Sequence, residues 1–179
     1  MSKAKLKKYL QSLPQDHLVQ VILDLYDARK VAKEYLEFFM NPDPKAALEK
    51  GKKDIYRNYF TPQGRPKAKM SIKAGNEIVA DFIRLDIPPE QVADLMTYHL
   101  EVVLSRLVVK HIVRETAWIS AINLFRKMVE YIKAHSLEPA MERRLEKIIE
   151  YVRYAPAYLN VEDNLKDILT ETNYYDYQQ

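Results

Sequence analysis

The chain has 179 residues and a net charge of +3, with 47% hydrophobic and 30% charged residues, no cysteine, three glycines and thirteen tyrosines. Without cysteine there is no disulfide framework, no thiolate metal site and no thiol nucleophile. Three glycines cannot build a glycine-rich phosphate loop, and they argue against the many tight turns of an all-β protein.

Helical periodicity starts at once. Leu6, Tyr9, Leu10 and Leu13 stand at i, i+3, i+4 and i+7, one face of a short helix that ends before Pro14. The same spacing returns in Leu18, Val21, Ile22, Leu25 and Tyr26, and again in Val31, Tyr35, Phe38 and Phe39. Asn41-Pro42-Asp43-Pro44 closes that helix and opens the next, with Asp43 as cap and Pro44 at the first position. The next helix runs to about Phe60 with Leu48, Ile55, Tyr56 and Tyr59 on one stripe.

Thr61-Pro62-Gln63-Gly64-Arg65-Pro66 is the clearest loop in the chain. Ser71 is placed to cap a helix carrying Ile78, Val79, Phe82 and Ile83, which Asp86-Ile87-Pro88-Pro89 ends. From Pro89 to His111 the pattern is apolar on two sides, the mark of a central helix. Trp118, Ala121, Ile122, Phe125, Val129 and Ile132 predict a long amphipathic helix, and Leu145, Ile148, Ile149 and Val152 another. Asn160, with Asp163 three residues on, reads as the cap of a last helix through Leu165, Ile168 and Leu169.

The expected fold is therefore all-α, with eight or nine helices and no strand. Short connections favour antiparallel neighbours, in a compact bundle or a short helical-repeat superhelix. One domain is expected over 1–179, with the basic loop 61–66 between lobes 1–60 and 67–173 and a tail at 174–179.

Most chemistry-bearing patterns are missing. His17, His99, His111 and His135 offer no i, i+4 pair for a zinc protease, and no glutamate has a histidine three residues later, as a di-iron bundle needs. There is no Gly-x-Ser-x-Gly elbow. His99 shares a face with Leu95, Met96 and Val103 and reads as a core histidine held by a hydrogen bond rather than as a general base. No catalytic residue, cofactor or metal ligand is expected.

Two features invite a partner. Residues 1–73 hold 16 Lys+Arg against 8 Asp+Glu, and the excess is densest from Lys45 to Lys73. Arg57, Arg65, Lys67, Lys69 and Lys73 there suit phosphate contacts, with Tyr56 and Tyr59 nearby, although both tyrosines also fit the apolar stripe and hence the core. The tail offers Tyr174, Tyr175 and Tyr177, whose rings give contact area with a polar tip. The charge asymmetry suggests an anionic partner, set against the plainer reading of a solvated lysine-rich face.

The segments Leu6–Pro14, Leu18–Tyr26 and Val31–Leu36, with Ile78–Phe82 and Pro89–Met96, resemble a family of uncharacterised all-helical bacterial proteins, a domain of unknown function known mainly from the Bacteroidetes. The resemblance covers roughly the first two thirds of the chain. That family places a serine cap before the Pro-Glu of the last segment, where this chain has Pro88. The resemblance implies an all-helical cytoplasmic protein and brings no catalytic residues with it.

The functional expectation is a non-enzymatic protein-interaction or scaffold module in the cytoplasm, with no membrane span. The alternative is a nucleic-acid-associated protein using Lys45–Lys73. A homodimer is compatible with the pattern, although no heptad marks one.

Overall fold

A computed structural model describes residues 2–61 and 71–174, with side chains up to Glu171. Among them are nine α-helices and no strand. The helices are α1 (Lys3–Gln11), α2 (Gln15–Ala28), α3 (Lys30–Met40), α4 (Pro44–Tyr59), α5 (Ile72–Arg84), α6 (Pro89–Val109), α7 (Glu115–Ala134), α8 (Glu138–Tyr151) and α9 (Val161–Tyr174). Two 3-10 turns, Val152–Tyr154 and Ala157–Leu159, separate the last two. The chain divides into two compact units between Asp43 and Pro44. α4 packs on α5 and α6 and shares their core.

The first unit holds α1, α2 and α3. Ser2 caps α1 by accepting from the Lys5 amide at 3.4 Å. The α2–α3 junction is a single residue, Arg29, whose extended φ of −137° breaks the helical path. Tyr26 on α2 donates its hydroxyl to Glu37 on α3 at 2.9 Å, and the Lys33 ammonium lies 5.0 Å from the Tyr26 ring centre. These polar ties join two helices whose apolar residues find little cover. No residue of 2–43 is buried.

The second unit is a compact helical bundle around α6. Ten α6 residues are buried, among them Val92, Leu95, Leu100, Leu104 and Leu107, and α4, α5 and α7 all pack on this helix. Each such side chain contributes roughly 1.5–3 kcal/mol by leaving water. α7 adds Trp118, Phe125, Met128 and Ile132 and in turn carries α8 and α9. The Trp118 indole N–H donates to the Ile112 carbonyl at 2.7 Å, so the largest core ring leaves no polar atom stranded. Pro88 precedes α6 without a side-chain cap, and Pro89 fills the first position, where no amide is needed.

Few glycines are needed because the helix stops do not use them. Asp86, His111 and Ser136 follow α5, α6 and α7 with φ of 54°, 48° and 54°. After each, the amide of the next residue donates back to the third-last helical carbonyl: Ile87 to Phe82 at 3.2 Å, Ile112 to Leu107 at 2.9 Å, and Leu137 to Ile132 at 2.9 Å. This is a Schellman closure, with an apolar residue following in all three cases. Two glycines instead sit inside helices at close contacts. A Cβ on Gly51 of α4 would stand 2.9 Å from Phe82 Cζ and 3.3 Å from Leu95 Cδ1.

One local expectation is corrected. Asn160 precedes α9 with φ 45°, not in the extended conformation of a capping residue. It closes the preceding 3-10 turn, and its carbonyl accepts from the Asn164 side chain at 2.8 Å.

Candidate functional site

Three polar or apolar groupings stand out. The first is buried. Tyr59, from the last turn of α4, and His99, in mid-α6, share a hydrogen bond of 3.1 Å between the tyrosine hydroxyl and His99 Nε2. His99 is 1% exposed, and its imidazole lies against Gly75 of α5. Burial lowers the His99 pKa to about 4 and pushes the Tyr59 phenol well above its ordinary range. Both groups are therefore neutral near pH 7. A base this weak beside an acid this weak suits helix registration better than proton transfer.

The second grouping lies half-buried where α4, α6 and α8 meet. Arg144 of α8 holds Glu101 with two hydrogen bonds, Nε to Oε1 at 2.7 Å and Nη2 to Oε2 at 2.8 Å, and its Nη1 reaches Asp94. Lys52 of α4 binds the other Asp94 oxygen at 2.7 Å. Burial pushes the Asp94 carboxyl up, but hydrogen bonds from Lys52 and Arg144 outweigh it and hold the pKa below the usual carboxylate range. The charges compensate one another, and the fork of Arg144 spans two turns of α6. The only trace of this network in the sequence is two acids, Asp94 and Glu101, seven residues apart on the most apolar helix.

The third grouping is the surface of α4. Lys50, Lys53, Tyr56 and Arg57 are exposed there, and with Lys52 and Tyr98 they border an open cleft of about 840 Å³ that also touches Glu49 and Asp54. Of the paired tyrosines, Tyr59 enters the core at 3% exposure. Tyr56 is 49% exposed and stacks on Phe60 at 5.0 Å. The core expectation thus holds for one ring and not the other. Arg57 faces Asp54 at 3.8 Å, and Lys73, exposed on α5, faces Glu77 at 4.0 Å. Arg65, Lys67 and Lys69 lie outside the described residues, as do Tyr175 and Tyr177. Tyr174 is the last residue of α9, and its side chain is outside the description.

Among the described residues no three His, Asp or Glu side chains gather where a metal ion would fit, and no helix is long and apolar enough to cross a membrane. The surface that sequence reasoning missed is that of α1–α3. Periodicity marks their apolar stripes, but Phe39 is 72% exposed, Met40 63%, Val31 62% and Leu23 51%.

Fold and groupings together define an all-α protein whose polar clusters tie the helices of its bundle to one another. The chain belongs to DUF6155, a family of unknown function, which matches residues 1–169 and so takes in the first unit and the second as far as Leu169 within α9. No curated protein and no solved structure matches the chain.

Proposed function

We propose that this protein is a non-enzymatic interaction or scaffold module that associates with another polypeptide through α1–α3. One observation carries the reading. Residues 2–43 bury nothing, while eleven large apolar side chains there are exposed. Monomeric proteins rarely expose contiguous apolar patches above roughly 300–600 Å² without using them. The family match begins at residue 1, so this unit is part of what the family shares. Hydrogen exchange on the full chain tests it. In a monomeric chain the amides of α2 and α3 should exchange far faster than those of α6, and they should slow on association. A monomer in which α2 and α3 are as protected as α6 would sink the reading, since the face would then be covered within its own chain.

A second reading, a nucleic-acid-associated protein using Lys45–Lys73, draws support from the exposed Tyr56 ring between Lys53 and Arg57 on the open α4 face. It predicts salt-sensitive binding of single-stranded nucleic acid that weakens when Lys53, Tyr56 and Arg57 become alanine. No mobility shift at low salt ends it.

A further inference from the structure

We propose that the occupant of the exposed α2–α3 face is a second copy of this chain, with the two helices of each copy forming a four-helix bundle across a two-fold axis. This rests on the interaction reading above and names its partner.

The breadth of the apolar faces is the first ground. On α2 the apolar arc runs from Val21 round through Leu25 and Ile22 to Leu23. On α3 it runs from Phe38 round through Tyr35 to Met40. At 3.6 residues per turn each arc spans roughly 200°. A surface helix packed on a core shows an apolar stripe of roughly 100° or somewhat more. The α2–α3 contact therefore uses only part of each arc. In a four-helix bundle each helix faces two neighbours and the centre, which takes up a face of this width. One copy supplies two such helices, and a two-fold axis supplies the other two.

The area is the second ground. Nine large apolar side chains on α2 and α3 are between 43% and 72% exposed. With side chains that bury on the order of 200 Å² when fully covered, this is on the order of 1,000 Å². A stable interface needs roughly 800 Å² from each partner.

Charge is the third ground. α2 carries Asp16, Asp24 and Asp27 and no lysine or arginine, whereas α3 carries Lys30 and Lys33 beside Glu34 and Glu37. Residues 2–43 together hold seven Lys+Arg against six Asp+Glu. A two-fold interface sets one patch against its own copy, so a patch bearing both signs is self-complementary. A nucleic acid or an anionic lipid surface would call for a basic unit instead.

The test is sedimentation and light scattering of the full chain at micromolar concentration, with hydrogen exchange alongside. The expected mass is twice the 21.1 kDa of one chain. Ile22→Glu and Phe39→Glu, each at an exposed site, should weaken the dimer by roughly a hundredfold or more, through burial of a charge, with circular dichroism unchanged. Ile119→Glu, equally exposed on α7, should leave it intact. A monomer with fast-exchanging α2 and α3 overturns the second copy and leaves the interaction reading standing with another partner. A monomer with protected α2 and α3 overturns both. A dimer that survives Ile22→Glu and Phe39→Glu also overturns the proposal, because its contact lies elsewhere.

Discussion

The imidazole of His99 on α6 fills the space that a side chain at position 75 on α5 would need. Any Cβ at Gly75 would overlap the ring at Nε2 and Cε1. Gly75 is thus retained for contact, with φ in the ordinary helical region, and at a cost of about 1 kcal/mol in helix propensity relative to alanine. Three helices converge on this point, since Tyr59 of α4 bonds the same ring.

The first prediction follows from that overlap. Gly75→Ala should lose about 1–3 kcal/mol, opposite in sign to alanine's usual effect in a helix. His99→Ala should also destabilise, through a cavity and a stranded Tyr59 hydroxyl. The double variant should lose at least about 1 kcal/mol less than the two losses combined, because alanine at 75 then enters the space the ring left. Urea unfolding of all four proteins measures this. Strict additivity would show that the two sites do not share that space.

His99 also sets an acid limit. Its pKa is about 4 in the fold, lowered by burial, and near 6.5 in the unfolded chain. The fold prefers the neutral ring, so the contribution is complete above pH 6.5 and is lost as pH falls from 6.5 towards 4, by on the order of 3 kcal/mol. His99→Gln lacks this term. Its deficit against the parent protein should shrink between pH 7 and pH 4.5 in denaturant titrations. Parallel pH curves for the two proteins would assign the acid sensitivity to other groups.

The Arg144 fork yields a third expectation. Arg144→Met keeps an apolar stem but leaves Asp94 and Glu101, two turns apart on α6, without the guanidinium they share. The site is about one quarter to one third exposed, so the loss should fall near 2 kcal/mol, between a surface pair and a buried one. Lys52→Met removes one contact to Asp94 and should cost less. Asp94 adds an acid dependence of its own. With its pKa lowered, its contribution disappears as pH falls through that lowered value, below the window of His99. Equal stability of Arg144→Met and the parent across pH would remove the network from the account.

Helix ends give a stabilising prediction. Ser136 holds φ 54° after α7, a conformation that costs a side-chain-bearing residue roughly 1 kcal/mol and costs glycine little. Ser136→Gly should raise stability by up to about 1 kcal/mol, offset in part by the greater freedom of glycine in the unfolded chain. Its thermal midpoint should rise by a few degrees. Asp86→Gly and His111→Gly should behave alike. A fall in all three midpoints would mean that the side chains at these stops carry interactions larger than the strain.

Much of the fold was legible in the sequence. Apolar spacing located the helices, Ser71 announced its own cap (its Oγ accepts from the Ala74 amide at 3.2 Å), and the doubly apolar pattern of Pro89–His111 marked the central helix. Periodicity reports which face of a helix is apolar, and local capping chemistry reports where it begins. Neither reports what covers that face. Tyr56 and Tyr59 have the same chemistry three residues apart on α4, yet one meets His99 in the core and the other meets solvent. The Lys52–Asp94–Arg144–Glu101 network joins residues more than forty positions apart along the chain, beyond the reach of any local pattern.

The sequence by itself determined the all-helical class, most helix limits and the scarcity of glycine, because these depend on short-range backbone and side-chain preferences. Only the tertiary structure decided which stripes became core. The stripes of α4 to α9 found one another around α6. Those of α1 to α3, equally regular in the sequence, are left largely exposed, because periodicity marks an apolar face without specifying a partner to cover it.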